Sequence, residues 1–160
     1  MSAAALADTA GPGVGGSTAQ GAPPPAPAKY LKILLYSDDA AVRERLRLAL
    51  GTRPDEALPQ LTVEEFATAP ALIERMDQVA AGRRVDLVVL DGEAVPAGGM
   101  GLARQLKDEI YQCPPLLVLT GRAQDGWLAT WARADAVVSH PIDPVRLADV
   151  AVGLLRSRVG

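Results

Sequence analysis

A chain of 160 residues has room for one domain with a substantial core. Its apolar share is 49% with only 4% aromatic residues, and its net charge of −3 excludes the broad basic surface that non-specific nucleic-acid binding needs. With Cys113 its only cysteine and His140 its only histidine, it also excludes an intrachain disulfide and a Cys/His zinc centre.

Residues 1–29 are dominated by Ala, Gly, Pro, Ser and Thr and end in Pro23-Pro24-Pro25-Ala26-Pro27. Such a segment buries too little apolar surface to offset its ordering entropy, so a disordered tail is expected, stiffening into polyproline II. Gly11-Pro12-Gly13-Val14-Gly15-Gly16 has no preceding strand and no Lys-Ser/Thr, which makes a poor phosphate loop. There is no basic and apolar leader and no stretch long enough to span a bilayer, so a cytoplasmic protein without direct membrane insertion is expected.

From Tyr30 to Gly160 strand and helix signals alternate, marking one domain over 30–160. The apolar run 31–36 predicts a first strand, and Val42, Leu46 and Ala49 or Leu50 mark one face of a helix over 39–51. On that helix Arg43, Arg45 and Arg47 read as a solvated face offset by Asp38, Asp39 and Glu44. Strand two is expected at 61–66. Thr68 and Pro70 then open a second helix carrying Leu72, Met76 and Val79. Strand three, 86–90, is apolar throughout, as a strand covered on both faces must be. A third helix over 99–111 stops before Cys113-Pro114-Pro115, and strand four follows at 116–119. A fourth helix is expected over 123–133 with Trp127, Leu128 and Trp131, then strand five at 135–138. Asp143 as cap and Pro144 at the first helical position start the last helix. Five strands alternating with five helices predict an α/β fold. It would be a flavodoxin-like doubly wound parallel sheet in the order 2-1-3-4-5.

In that order Asp38 and Asp39 after strand one, Asp91 after strand three, Thr120 after strand four and His140-Pro141 after strand five share one sheet edge. The loop Ser37-Asp38-Asp39 has neither glycine nor cation, which disfavours a nucleotide or flavin phosphate there. Clustered carboxylates favour a hard divalent cation, magnesium (Mg2+) being the natural guest.

On Asp38-Asp39, Leu87-Val88-Val89-Leu90-Asp91, Leu116-Leu117-Val118-Leu119-Thr120 and Pro141, residues 30–158 resemble the CheY-like receiver domain of bacterial response regulators. That resemblance implies Asp91 as phosphoacceptor, with Thr120 donating its hydroxyl to the incoming phosphoryl group. It implies a Mg2+ ion held by Asp39, by Asp38 through water, by Asp91 and by the backbone carbonyl of Glu93. It also implies a cis His140-Pro141 peptide and a histidine kinase or small phosphodonor as the source of phosphate. The chain departs from the pattern at His140, where the family has Lys, at Val137, where it has a switch aromatic, and in a longer loop after Asp91.

Trp127 and Trp131, spaced i, i+4, read as an exposed patch for a protein partner, and the resemblance implies docking or a homodimer through this face, helix four, strand five and helix five. With no element expected after the last helix, the reading is a stand-alone atypical response regulator acting through protein contact. It is not expected to be an enzyme. The alternative is a pseudo-receiver, a constitutive accessory subunit of a larger assembly such as respiratory complex I, peripheral to its membrane. A Mg-dependent phosphatase using Glu93 as proton donor is a third reading.

Overall fold

The computed structural model describes residues 30–159, so the expected disordered tail over 1–29 lies outside the described residues. Five parallel strands form one sheet in the order β2-β1-β3-β4-β5. They are β1 (Tyr30–Tyr36), β2 (Gln60–Phe66), β3 (Leu87–Asp91), β4 (Leu116–Thr120) and β5 (Ala136–Ser139). Between and after them run α1 (Ala40–Leu50), α2 (Ala69–Asp77), α3 (Gly99–Glu109), α4 (Leu128–Ala132) and α5 (Pro144–Val159). This is the doubly wound sheet that the alternation of strand and helix signals predicts.

The two-residue period of a strand sends successive side chains to opposite faces, and both faces here are covered. Leu31, Ile33, Leu35, Leu87, Val89, Leu117 and Leu119 pack against Val42, Leu46 and Leu50 of α1 and Leu147, Ala151 and Leu155 of α5. The alternate residues Leu34, Tyr36, Val88, Leu90, Leu116 and Val118 meet Leu72 and Met76 of α2 and Leu102, Ala103 and Leu106 of α3. Every residue of β3 and β4 is buried, which accounts for their unbroken apolar runs. Each such Leu or Val stabilises the fold by roughly 1.5–3 kcal/mol.

Helix starts follow capping chemistry, as expected at Thr68 and Asp143. Asp39 accepts the N–H of Ala41, Thr68 that of Ala71, and Asp143 those of Val145 and Arg146. The fourth helix differs from expectation. Residues Ala123–Trp127 form a 3-10 turn, and only Leu128–Ala132 are α-helical. Gly126 lies inside that stretch, where its backbone entropy opposes a regular helix. Val79, read as the last apolar position of helix two, falls in the turn after α2 and packs there against the core.

Strand register sets the height of each side chain at the carboxyl edge. Tyr36 pairs with Leu90, so Ser37 and Asp91 stand level on adjacent strands. Asp91 pairs with Leu119 and Thr120 with Ser139, which puts Thr120 one step and His140 two steps further out.

Candidate functional site

Asp38, Asp39, Asp91, Glu93, Gly121 and His140, with Val42, line a single cavity of ≈ 420 Å³ at this edge. Asp91 forms its floor and is only 3% exposed. Its Oδ2 accepts the Ser37 hydroxyl at 2.7 Å, and its Oδ1 accepts the backbone N–H of Glu93 at 2.9 Å. His140 Nε2 stands 3.4 Å from the same Oδ1. A buried carboxylate needs such donors, because an uncompensated one carries a large desolvation cost.

The acidic pair has divided duties. Asp39 caps α1, while Asp38 Oδ1 accepts the N–H of Val95 at 3.2 Å and so draws the loop after β3 towards β1. Each carboxylate therefore keeps a second oxygen beyond its backbone contact. Tyr36, fully buried beneath the pair, donates to the carbonyl of Ala97 at 2.6 Å and pins the same loop. Burial pushes its hydroxyl above the ordinary phenol range, and the charges of Asp38 and Asp91 push it the same way.

Among the described residues no group of three or more His, Cys, Asp or Glu side chains is arranged to hold a metal ion by itself. The donors at hand are hard oxygens, which suits magnesium, and magnesium is commonly held by one or two carboxylates with water completing its shell. Asp38, Asp39 and Asp91 thus fit such an ion by chemistry, with Glu93 beside them in the same lining.

Thr120 is 2% exposed, and its Oγ1 is buried without a hydrogen-bond partner among the described residues. Its carbonyl accepts the N–H of His140 at 2.7 Å, tying the ends of β4 and β5. The His140-Pro141 peptide is cis, as the resemblance implies, and so is Val95-Pro96. A Cβ at Gly121 would meet only the carboxylate tip of the flexible Glu93 side chain, which can swing aside. Gly92 has a steric reason, since a Cβ there would strike the backbone carbonyl of Leu119.

Two contributors escape a reading of the sequence. Ser37 reaches Asp91 directly. Arg43, expected among the solvated arginines of α1, instead donates to the Ser37 carbonyl at 2.6 Å and pairs with Glu65 at 3.2 Å. The only available signal is the hydroxyl of Ser37 beside the acidic pair, since the contacts of Arg43 depend on folding. Trp127 and Trp131 lie away from the cavity and are 70% and 48% exposed. The guanidinium of Arg104 sits 4.9 Å from the Trp131 ring centroid and donates to the Trp131 carbonyl.

A larger cavity of ≈ 710 Å³ opens at the opposite end of the sheet, lined by residues including Val79, Arg84, Tyr111, Cys113 and Arg158. No carboxylate lines it, so the acid chemistry belongs to the smaller one.

A doubly wound sheet carrying a buried aspartate between an acidic pair and a buried threonine has the architecture of a signal receiver. Two uncharacterized response regulatory proteins from two strains of Mycobacterium tuberculosis are each 54% identical over 127 residues, covering 79% of this chain and 92% of theirs. The chain belongs to the response regulator family, as a receiver domain. No protein-family model matches it. Among solved structures, chemotaxis response regulator CheY4 of Vibrio cholerae superposes with a TM-score of 0.61 at 20% identity, covering 79% of this chain and 99% of that one. The BeF3-activated receiver domain of DrrB from Thermotoga maritima gives 0.59 at 21% identity, covering 79% and 98%. Both likenesses concern the fold. Among the described residues no helix is long and apolar enough to cross a membrane.

Proposed function

We propose that this receiver takes a phosphoryl group on Asp91 and passes the change to a protein partner. The observation that carries this is the buried Asp91 carboxylate on the floor of a cavity that Asp38, Asp39, Glu93 and His140 also line. In the step proposed, an Asp91 oxygen attacks phosphorus, the bond from phosphorus to the donor's oxygen or nitrogen breaks, and the leaving group departs with its electron pair. An acyl phosphate on Asp91 results. The donor would be a histidine kinase or a small acyl phosphate.

Asp38, Asp39 and Asp91, with the Glu93 carbonyl, would hold Mg2+, whose charge would offset the negative charge gathered in the transition state. Thr120 brings a buried hydroxyl with no other partner among the described residues, suited to a phosphoryl oxygen. His140, nearest to Asp91 Oδ1, would orient that oxygen where the family uses Lys. The exposed Trp127 and Trp131 would form the contact surface, for a partner or a second copy. A cytoplasmic setting suits such a relay.

Incubating the protein with Mg2+ and acetyl phosphate and weighing it intact tests the proposal. A phosphoryl adduct in wild type that Asp91→Asn lacks supports it, and absence of an adduct in wild type refutes it. One observation favours a second reading, a constitutive accessory subunit of a larger assembly such as respiratory complex I. Val137 on β5 supplies no aromatic ring to change rotamer at that position. Stable co-purification with a large assembly in the absence of any adduct would select it. Phosphoester turnover lost in Glu93→Gln would instead select a Mg-dependent phosphatase.

A further inference from the structure

The geometry points to Ser37 as a positioning residue for Asp91, setting which carboxylate oxygen meets phosphorus. This inference rests on the proposed phosphoryl transfer to Asp91.

Ser37 is fully buried and held at every polar atom. Its N–H donates to the Phe66 carbonyl at 3.2 Å, and its own carbonyl accepts Arg43 Nη1 at 2.6 Å. Its Oγ accepts the N–H of Asp39 at 3.1 Å and donates to Asp91 Oδ2 at 2.7 Å. The single proton of a hydroxyl has one destination, and Asp39's N–H already fills an acceptor site. The proton of Ser37 is therefore directed at Asp91.

The two oxygens of Asp91 are thereby made unequal. Oδ2 meets Ser37, next to the acidic pair on β1, whereas Oδ1 meets the Glu93 N–H and stands nearest His140 beyond β5. The terminal torsion of an aspartate is broad and roughly two-fold, so a carboxylate held at one oxygen alone can swing. Donors on both oxygens fix its plane. With Oδ2 turned towards Ser37 and the acidic pair, Oδ1, although it too accepts a backbone N–H, faces the His140 side and is the oxygen that forms the bond to phosphorus while the donor's leaving group departs with the electron pair. Orientation of this kind governs rate far more than affinity, since a displacement of about 1 Å costs up to a hundred-fold.

The test compares wild type, Ser37→Ala and Ser37→Thr in two measurements. The first is the rate of adduct formation across a range of acetyl phosphate concentrations with Mg2+. The second, without phosphodonor, is the 13C carboxyl resonance of Asp91. Ser37→Ala is expected to lower the maximal rate about ten-fold with the half-saturating donor concentration unchanged, and to shift or broaden the Asp91 resonance. Ser37→Thr, which keeps the hydroxyl, is expected to recover most of both. Should the Ala variant fail to fold, Ser37→Cys, with a weaker donor of similar size, takes its place. If wild type forms no adduct, the phosphoryl reading falls, and the carboxyl resonance alone then decides whether Ser37 orients Asp91. An Ala variant matching wild type in both measurements overturns the inference. So do Ala and Thr variants equally slow with an unmoved resonance.

Discussion

The carboxylate of Asp86 accepts the backbone N–H of Lys32 at 2.8 Å from a position only 1% exposed. It joins β1 to the start of β3 at the end of the sheet opposite the acidic cavity. Its other oxygen takes Arg84 Nε at 2.5 Å, with Arg158 Nε at 3.5 Å. Asp86 alone of this set is buried, Arg84 being half-exposed, so removing its carboxylate chiefly strands the Lys32 N–H while solvent takes over the guanidinium groups. Asp86→Ala is therefore expected to lower the unfolding free energy by about 2 kcal/mol, and Asp86→Asn, which keeps an acceptor for Lys32, by about half as much. Urea denaturation at constant m-value measures this, and a loss below about 1 kcal/mol for Asp86→Ala would contradict it.

Thr120 predicts the opposite relation between stability and activity. Its hydroxyl is buried with no partner among the described residues, a cost of about 1–3 kcal/mol that an isosteric methyl would relieve. Thr120→Val should leave the fold equally stable or more stable by about 1 kcal/mol while slowing phosphoryl uptake on Asp91. Thermal denaturation and adduct kinetics on the same preparation check both halves. A destabilised variant would mean that the hydroxyl is satisfied in solution.

Cys113 carries a pH signature. Burial pushes its thiol up from 9.0 to about 11, with Lys107 opposing and Asp135 adding to the shift. A thiol raised in the folded state binds its proton more tightly there than when unfolded. Its contribution to stability is thus intact below about pH 9 and declines as pH rises towards about 11. Alkylation by iodoacetamide should be slow at pH 8 in the native protein, accelerate about ten-fold per pH unit, and be fast at once in denaturant. A native rate that levels off near pH 9 would refute this.

The tryptophan face is testable without knowing its partner. Trp127 is 70% exposed, so Trp127→Ala should change the melting temperature by less than about 2 °C. Acrylamide should quench both indoles readily in the free protein and less in any complex or dimer formed through this face. Complexes that leave quenching unchanged would place the contact elsewhere.

The parts of this molecule legible in its sequence are those governed by periodicity. The unbroken apolar runs of β3 and β4 announce strands covered on both faces, and their ends place Asp91 and Thr120 at one edge. Local chemistry is equally readable at Thr68 and Asp143, since a cap concerns only residues two or three apart. The fourth helix misled because Trp127, Leu128 and Trp131 repeat at helical spacing although Gly126 interrupts them. Ser37 and Arg43 were opaque for another reason. Their partners, Asp91 and Glu65, lie 54 and 22 residues away, and only strand register brings them within reach.

A five-residue α4 behind a 3-10 turn is too short to be helical on its own account. It keeps its shape through neighbours: Arg104 gripping Trp131 from α3, and Ala132 sunk among the side chains beneath. This stretch should therefore be the softest part of the described chain, its amides exchanging with solvent long before those of β3 and β4. A protein that closes on the indoles would mould that segment with little disturbance to the sheet, and docking there would be as much a folding event as a fit.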